Sequence, residues 1–266
     1  MEATTLRMPD VQAGEDRRGV RIDEVGIEGL SYPVAVVGRD GEPQQTVADV
    51  AMTVSLAEDR RGVHMSRFVE LLDIYAVDVS RAGFEELTES VRMRLDATDS
   101  RVEMAFPYFL RRAAPASGST SMNRYECRLV GRAGGGGPVD VEVGVRVPIT
   151  SLCPCSKEIS DYGAHNQRGH VEIAAEGAGL WFEDLIEVAE RGGSAPILAL
   201  LKRVDERVVT MQAYDNPAFV EDIVRDVLVA LRGDRRIRCA RVGVSNEESI
   251  HAHNAVARLR WDRADG

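Results

Sequence analysis

No apolar run of roughly 18 residues, the length a helix needs to cross a bilayer, occurs in the chain. The opening stretch, MEATTLRMPDVQAGEDRRG, lacks the apolar segment of a secretory leader. The expectation is a cytoplasmic protein that engages no membrane. Cysteine is scarce, with four in 266 residues, unevenly spaced, which argues against a disulfide scaffold. An excess of basic residues is also missing: 33 Lys and Arg face 43 Asp and Glu, a net charge of −10. That balance argues against a broad nucleic-acid face, although a few local Arg, Lys or backbone N–H groups can still bind a small anion.

What is present reads as two similar series of elements. Residues 1–20 are polar, and a poorly ordered segment is expected there. SYPVAVVG and TVADVAMTVSLAE, separated by turn residues, predict a hairpin. SRFVELLDIYAVD and GFEELTESVRMRLDA have helical spacing, with Leu87, Val91 and Leu95 on one stripe and Ser66 as the expected N-cap of the first. Strands over Arg101–Arg112 and Ser121–Arg132 follow. After the breaker AGGGGP the order starts again. Val139, Val141, Val143, Val145 and Val147 share one face of a strand, and RGHVEIAAEG reads as its partner. Two helices follow, WFEDLIEVAERG and NPAFVEDIVRDVLVALRG, the second with Asn216 as N-cap, Pro217 at its first position and a stripe of Phe219, Ile223, Val227 (or Val224) and Ala230. RIRCARVGVSN and AHNAVARLRWD close the chain as strands.

This order predicts an α+β protein with a first unit over 21–132 and a second over 133–266. Each is expected to be a four-stranded antiparallel sheet with two helices on one face. Open sheet edges invite pairing with further copies, so an oligomer is expected.

The residues able to do chemistry cluster in two places. SLCPCSKEISDYGAHNQRGH holds Cys153, Cys155, His165 and His170. Thiolate binds soft metals and attacks electrophiles, yet two thiols buried in a turn would have the same residue types, and one-residue spacing is not that of a structural zinc site. ESIHAHNA adds His251 and His253, with Glu247 and Glu248 beside them. Cysteine, histidine and carboxylate from separate segments are what an open catalytic metal site needs. His64 and Arg67, before and in the first helix, could meet an anion. Cys127 and Cys239 fall within strands and read as core. Glu221, one turn into a helix, reads by default as helix-start electrostatics.

Taken together, VPITSLCPCSKEISDYGAHNQRGH, YDNPAFVED, RGVHMSRFVELL and SNEESIHAHNA resemble the type IB GTP cyclohydrolases, over roughly residues 10–260. The resemblance implies the tunnelling fold, with two units in tandem, and a homotetramer with sites at subunit interfaces. It implies conversion of GTP and water to 7,8-dihydroneopterin triphosphate and formate, opening folate or related pterin synthesis. The implied cofactor is a divalent metal (zinc, manganese or iron) surrounded by Cys153, His165, Glu206 and His251. It overturns the default for Glu221, which matches the glutamate that grips the amino-pyrimidine edge of the base. His64, Arg67, Lys157 and Arg168 are the candidates for the triphosphate. Two other readings use the same residue types. One is a nitrile reductase of the same fold, with a metal-free cysteine nucleophile and NADPH. The other is a redox-sensing protein in which Cys153 and Cys155 form a reversible pair.

Overall fold

The structure, a computed structural model, describes residues 10–12 and 14–265. Of the segment 1–20 expected to be poorly ordered, residues 1–9 and 13 lie outside the described ones. Closer in, Glu15 bridges to Arg60, and the Asp16 N–H donates to the Asp59 carbonyl at 2.8 Å.

The strands are β1 (Ile22–Val37), β2 (Pro43–Leu56), β3 (Ser100–Ala113), β4 (Thr120–Ala133), β5 (Asp140–Leu152), β6 (Asn166–Gly177), β7 (Ile237–Asn246) and β8 (Ala255–Asp262). Helices α1 (Ser66–Tyr75) and α2 (Arg81–Arg94) lie between β2 and β3, and α3 (Pro154–Ile159) between β5 and β6. Three more, α4 (Phe182–Gly192), α5 (Arg203–Asp215) and α6 (Val220–Gly233), separate β6 from β7. The α+β class is as expected.

Two separate four-stranded sheets are not observed. All eight strands form one antiparallel sheet in chain order. The join is β4 to β5, paired from Glu126↔Arg146 to Arg132↔Asp140. The glycine run is the turn of that hairpin, with Gly135 and Gly136 at φ of 62° and 71°, where a Cβ would be strained. Strands flanking so short a turn close a ladder and so avoid two inner edges of unpaired backbone groups.

The helices cover one face of the sheet. Alternation decides which residues meet them: Val141, Val143, Val145 and Val147 are all buried, each contributing roughly 1.5–3 kcal/mol. Leu87, Val91 and Leu95 of the α2 stripe and its end belong to the same core, where α2 lies over β3 and β4. Ile223, Val224, Val227 and Leu231 are the buried face of α6, whereas Phe219 and Ala230 are exposed.

Several helix starts differ from the expectation. Ser66 is inside α1, whose N-cap is Met65. Asn216 is the C-cap of α5, a helix the periodicity did not reveal, and α6 begins after Phe219, whose N–H donates to Asp222 at 3.1 Å.

The opposite face is polar. Glu126, Arg128, Glu142, Arg146, Glu172 and Arg241 line an open hollow of about 740 Å³ there, with Arg241 donating to Glu142 at 2.8 Å. Cys127 is core as expected, but Cys239 is only half-buried, because its register puts it on the polar face beside Glu176. That neighbour and partial burial push its thiol pKa up, burial being the larger cause.

Candidate active site

Along β5, β6 and β7 the helix-packed face is aliphatic until one end of the sheet. There Ile149 gives way to Ser151, Val171 to Gly169 and Gln167, and Val244 to Asn246. The valine layer stops and a cavity of about 500 Å³ begins. Its walls include Cys153, Cys155 and His165 from the β5–β6 connection, Phe219 and Glu221 from the start of α6, and Glu248, Ile250, His251 and His253 from the irregular segment between β7 and β8.

The cysteines are not on a simple loop. Pro154 opens α3, Cys153 is its N-cap, and the Ser156 N–H donates to Cys153 Sγ at 3.4 Å. Proline suits that first position, since its missing N–H has no helical partner to lose. Ser156 also ties the two ends of the connection: its hydroxyl donates to the Cys153 carbonyl at 3.1 Å and accepts from the His165 N–H at 3.2 Å. With the Cys153 N–H donating to the His165 carbonyl at 3.1 Å, residues twelve apart in sequence become neighbours. Cys155 is exposed and faces the same cavity.

His165 has a defined orientation. Gln167 Nε2 donates to Glu248 Oε1 at 3.4 Å, which turns Gln167 Oε1 towards His165 Nδ1 at 2.8 Å. A carbonyl oxygen only accepts, so Nδ1 carries a hydrogen and Nε2 is the ring nitrogen turned away from this bond. Ser249 Oγ lies 3.1 Å from the same Nδ1. The His251 and His253 rings stack with centroids 5.1 Å apart.

Other expected site residues lie elsewhere. Glu206 is exposed in the first turn of α5 and does not line this cavity. The residue before it, Asp205, is fully buried and accepts from the Ala116 and Ser117 N–H groups, the Ser117 hydroxyl and the Lys202 N–H, at 2.7–2.9 Å. Desolvation acts upward on its carboxyl, but those donors outweigh it and hold the pKa well below the usual carboxylate range.

Lys157 donates from α3 to the Tyr214 carbonyl and lies 4.3 Å from that ring's centre, so its charge is engaged at the end of α5. Arg168 lines an adjoining hollow of about 390 Å³ with Thr150, Asn166 and Gln167. His64 lies 3.1 Å from Asp10 beside α1, and neither it nor Arg67 lines the cavity. His170 stands on the polar face, 3.9 Å from Glu247. Burial, then Arg146, lower its pKa against the opposing pull of Glu247 and Glu126.

The cavity's donor types fit a divalent ion: two thiols, imidazoles and carboxylates. As they stand, no three Cys, His, Asp or Glu side chains among the described residues are gathered closely enough to hold one. Sequence reading also missed Gln167, Ser249 and Asn246. The one available signal was that Asn246 continues the core face of Val242 and Val244, where a polar residue needs a reason.

Residues 8–257 match the family model described as type I GTP cyclohydrolase folE2. The GTP cyclohydrolase FolE2 of Desulfosudis oleivorans is 46% identical over 257 residues, covering 96% of this chain and 99% of that protein. The FolE2 of Nitrosomonas eutropha is 47% identical over 261 residues, 98% of each chain. Among solved structures, the uricase from Arthrobacter globiformis superposes with a TM-score of 0.55 at 10% identity, over 95% of each chain. A uricase from Bacillus fastidious gives 0.55 at 8%, over 94% of this chain and 95% of that one. At such identity the likeness is one of fold alone.

These matches define a GTP cyclohydrolase, an enzyme of folate biosynthesis. The chain belongs to the folE2 family of type I GTP cyclohydrolases, the type IB family that its motifs resemble.

Proposed function

We propose that GTP is opened at C8 of its guanine in the cavity at the end of β5, β6 and β7, yielding 7,8-dihydroneopterin triphosphate and formate. The observation that carries this reading is that Cys153, His165, Glu221 and His251, from three separate segments, line one cavity. In this reading Cys153, His165 and His251, with Glu206, hold a divalent ion: zinc, manganese or iron. When bound, such an ion supplies Lewis acidity that brings the pKa of water towards neutrality.

The chain's own residues do the rest. Glu221 accepts the guanine N1–H and one N2–H side by side, which only a carboxylate's two oxygens can do without a competing donor. Gripping the pyrimidine edge leaves the imidazole ring, at the other end of the purine, for the thiol and histidines. Gln167 keeps the His165 lone pair on Nε2. Of the stacked pair His251 and His253, the ring not engaged with the ion is the candidate to hold a proton for N7, which favours attack at C8. Arg168, in the adjoining hollow, is the best placed of the four triphosphate candidates. His64, Arg67 and Lys157 lie off the cavity, so any part they play needs another arrangement of the chain or a second copy.

Two features support assembly with further copies. β1 and β8 are the outermost strands of the sheet, and only the Ala35–Val37 end of β1 is covered, by Ala76 and Val79; Glu206 stands away from the cavity it is meant to serve. A homotetramer of tandem tunnelling-fold units, the first over 21–132 and the second over 133–266, with each site completed by a neighbouring subunit, accounts for both. A cytoplasmic location suits such an enzyme, and no helix among the described residues is long and apolar enough to cross a membrane. The test is Cys153→Ala. Formate release from GTP is expected to fall by at least a thousandfold with the tetramer intact, and full formate release from this variant would overturn the assignment.

A further inference from the structure

Asn246, the last residue of β7, is 2% exposed and lines the cavity together with Glu221. Its amide orientation follows from its neighbours. The Ser151 hydroxyl donates its only hydrogen to the Ala218 carbonyl at 3.0 Å. It can therefore only accept from Asn246, and Asn246 Nδ2 lies 2.8 Å away. That leaves Oδ1 as the free end of the amide, and it has no hydrogen-bond partner among the described residues. Directly across the β6–β7 ladder is Gly169, where an added Cβ would come within 2.2 Å of Oδ1. A glycine there lets the oxygen stand where it does, which no residue with a Cβ would allow. A buried amide oxygen left unpaired in a site wall is unusual in a folded protein and calls for a ligand donor.

We propose that Asn246 is a specificity-determining residue, whose Oδ1 accepts the second N–H of the guanine 2-amino group. This rests on the reading of the cavity as the guanine site. The chemistry narrows the choice on the base. Guanine's O6, N7 and N3 are acceptors and cannot serve a carbonyl oxygen. Its only donors along that edge are N1–H and the two amino hydrogens. Glu221 takes N1–H and one amino hydrogen, so the other amino hydrogen remains. Asn246 and Glu221 together then count all three, and a purine without the 2-amino group leaves Oδ1 buried and unpaired.

The test measures dissociation constants and kcat/KM for GTP and inosine triphosphate with the wild-type holoenzyme and with Asn246→Ala, Ser151→Ala and Glu221→Ala. Asn246→Ala is expected to reduce the preference for GTP over inosine triphosphate by about tenfold to a hundredfold. Ser151→Ala, which frees the amide to turn, is expected to reduce it less. Asn246→Ala lowering both nucleotides by the same factor overturns the proposal, because Oδ1 then serves a ribose hydroxyl, a water or the fold. Glu221→Ala separates the two readings: both nucleotides carry N1–H, so it should weaken both. If it weakens neither, the guanine site itself is misplaced. Should Asn246→Ala not fold, wild-type enzyme and N2-methyl-GTP decide the matter. Replacing one amino hydrogen is expected to raise KM about tenfold or more, and wild-type kinetics equal to those of GTP would overturn the proposal.

Discussion

Gln167 Oε1 stands 2.8 Å from His165 Nδ1, and both side chains face the same cavity. The pair decides which nitrogen of His165 can give a lone pair, and Glu248 decides which end of Gln167 faces the ring. Groups that orient a metal-binding histidine in this way commonly change affinity by about tenfold to a hundredfold when removed. Gln167→Leu is therefore expected to weaken binding of Zn²⁺ or Mn²⁺ by about that factor, read by competition with a chelator. Gln167→Glu, which keeps an acceptor, should lose less. Equal affinity in wild type and Gln167→Leu would remove Gln167 from the account.

Asp205 predicts a pH-dependent contribution to stability. Its carboxyl is held well below the usual carboxylate range by the Ser117, Lys202 and Ala116 donors, against the upward push of desolvation. A folded pKa below the unfolded one gives stability that is fully present above the unfolded value and lost as pH falls through the folded one. Asp205→Asn should melt several degrees lower than wild type at pH 7, with the gap closing below about pH 4. A gap of the same size at pH 7 and at pH 3 would contradict the assignment. Because the carboxylate ties the β3–β4 turn to the start of α5, the loss should appear first as exchange of the Ala116 and Ser117 amides.

Leu129, 0% exposed in β4, sits in the core that both halves share. Leu129→Ala should cost about 2–5 kcal/mol in a denaturant titration. If the eight strands fold as one sheet, unfolding followed at Trp181 in the second half should shift with it. A Trp181 signal that stays at the wild-type midpoint would show that the halves unfold separately.

Much of this architecture was legible where the chain alternates cleanly. The valines of β5 and the Leu87–Val91–Leu95 stripe were placed correctly because burial on one face selects apolar residues at a fixed period. The single sheet was not legible, since AGGGGP looks the same whether it ends a unit or turns a hairpin. α5 was missed because it has almost no apolar face: only Asp205 and Ala213 are buried along it. α3, six residues long, is too short for periodicity to register. Asn216 and Pro217 mimic a helix start, but Asn216 instead closes α5 and donates to the Gly193 carbonyl at 3.3 Å. In the site, cysteines and histidines announced themselves by residue type. Ser151, Gln167 and Asn246 did not, because each does its work through a hydrogen bond that only the strand register brings into being.

The proposed reaction is a metal-assisted opening of GTP in the cavity that holds Cys153, His165, Glu221 and His251. The most direct measurement incubates chelated protein with GTP, adds back Mn²⁺, Fe²⁺ or Zn²⁺ singly, and follows formate together with pterin fluorescence after oxidation. No product is expected without metal, and stoichiometric formate and pterin are expected with at least one of the three. Full turnover by the chelated protein, or no product with any of the ions, would contradict it.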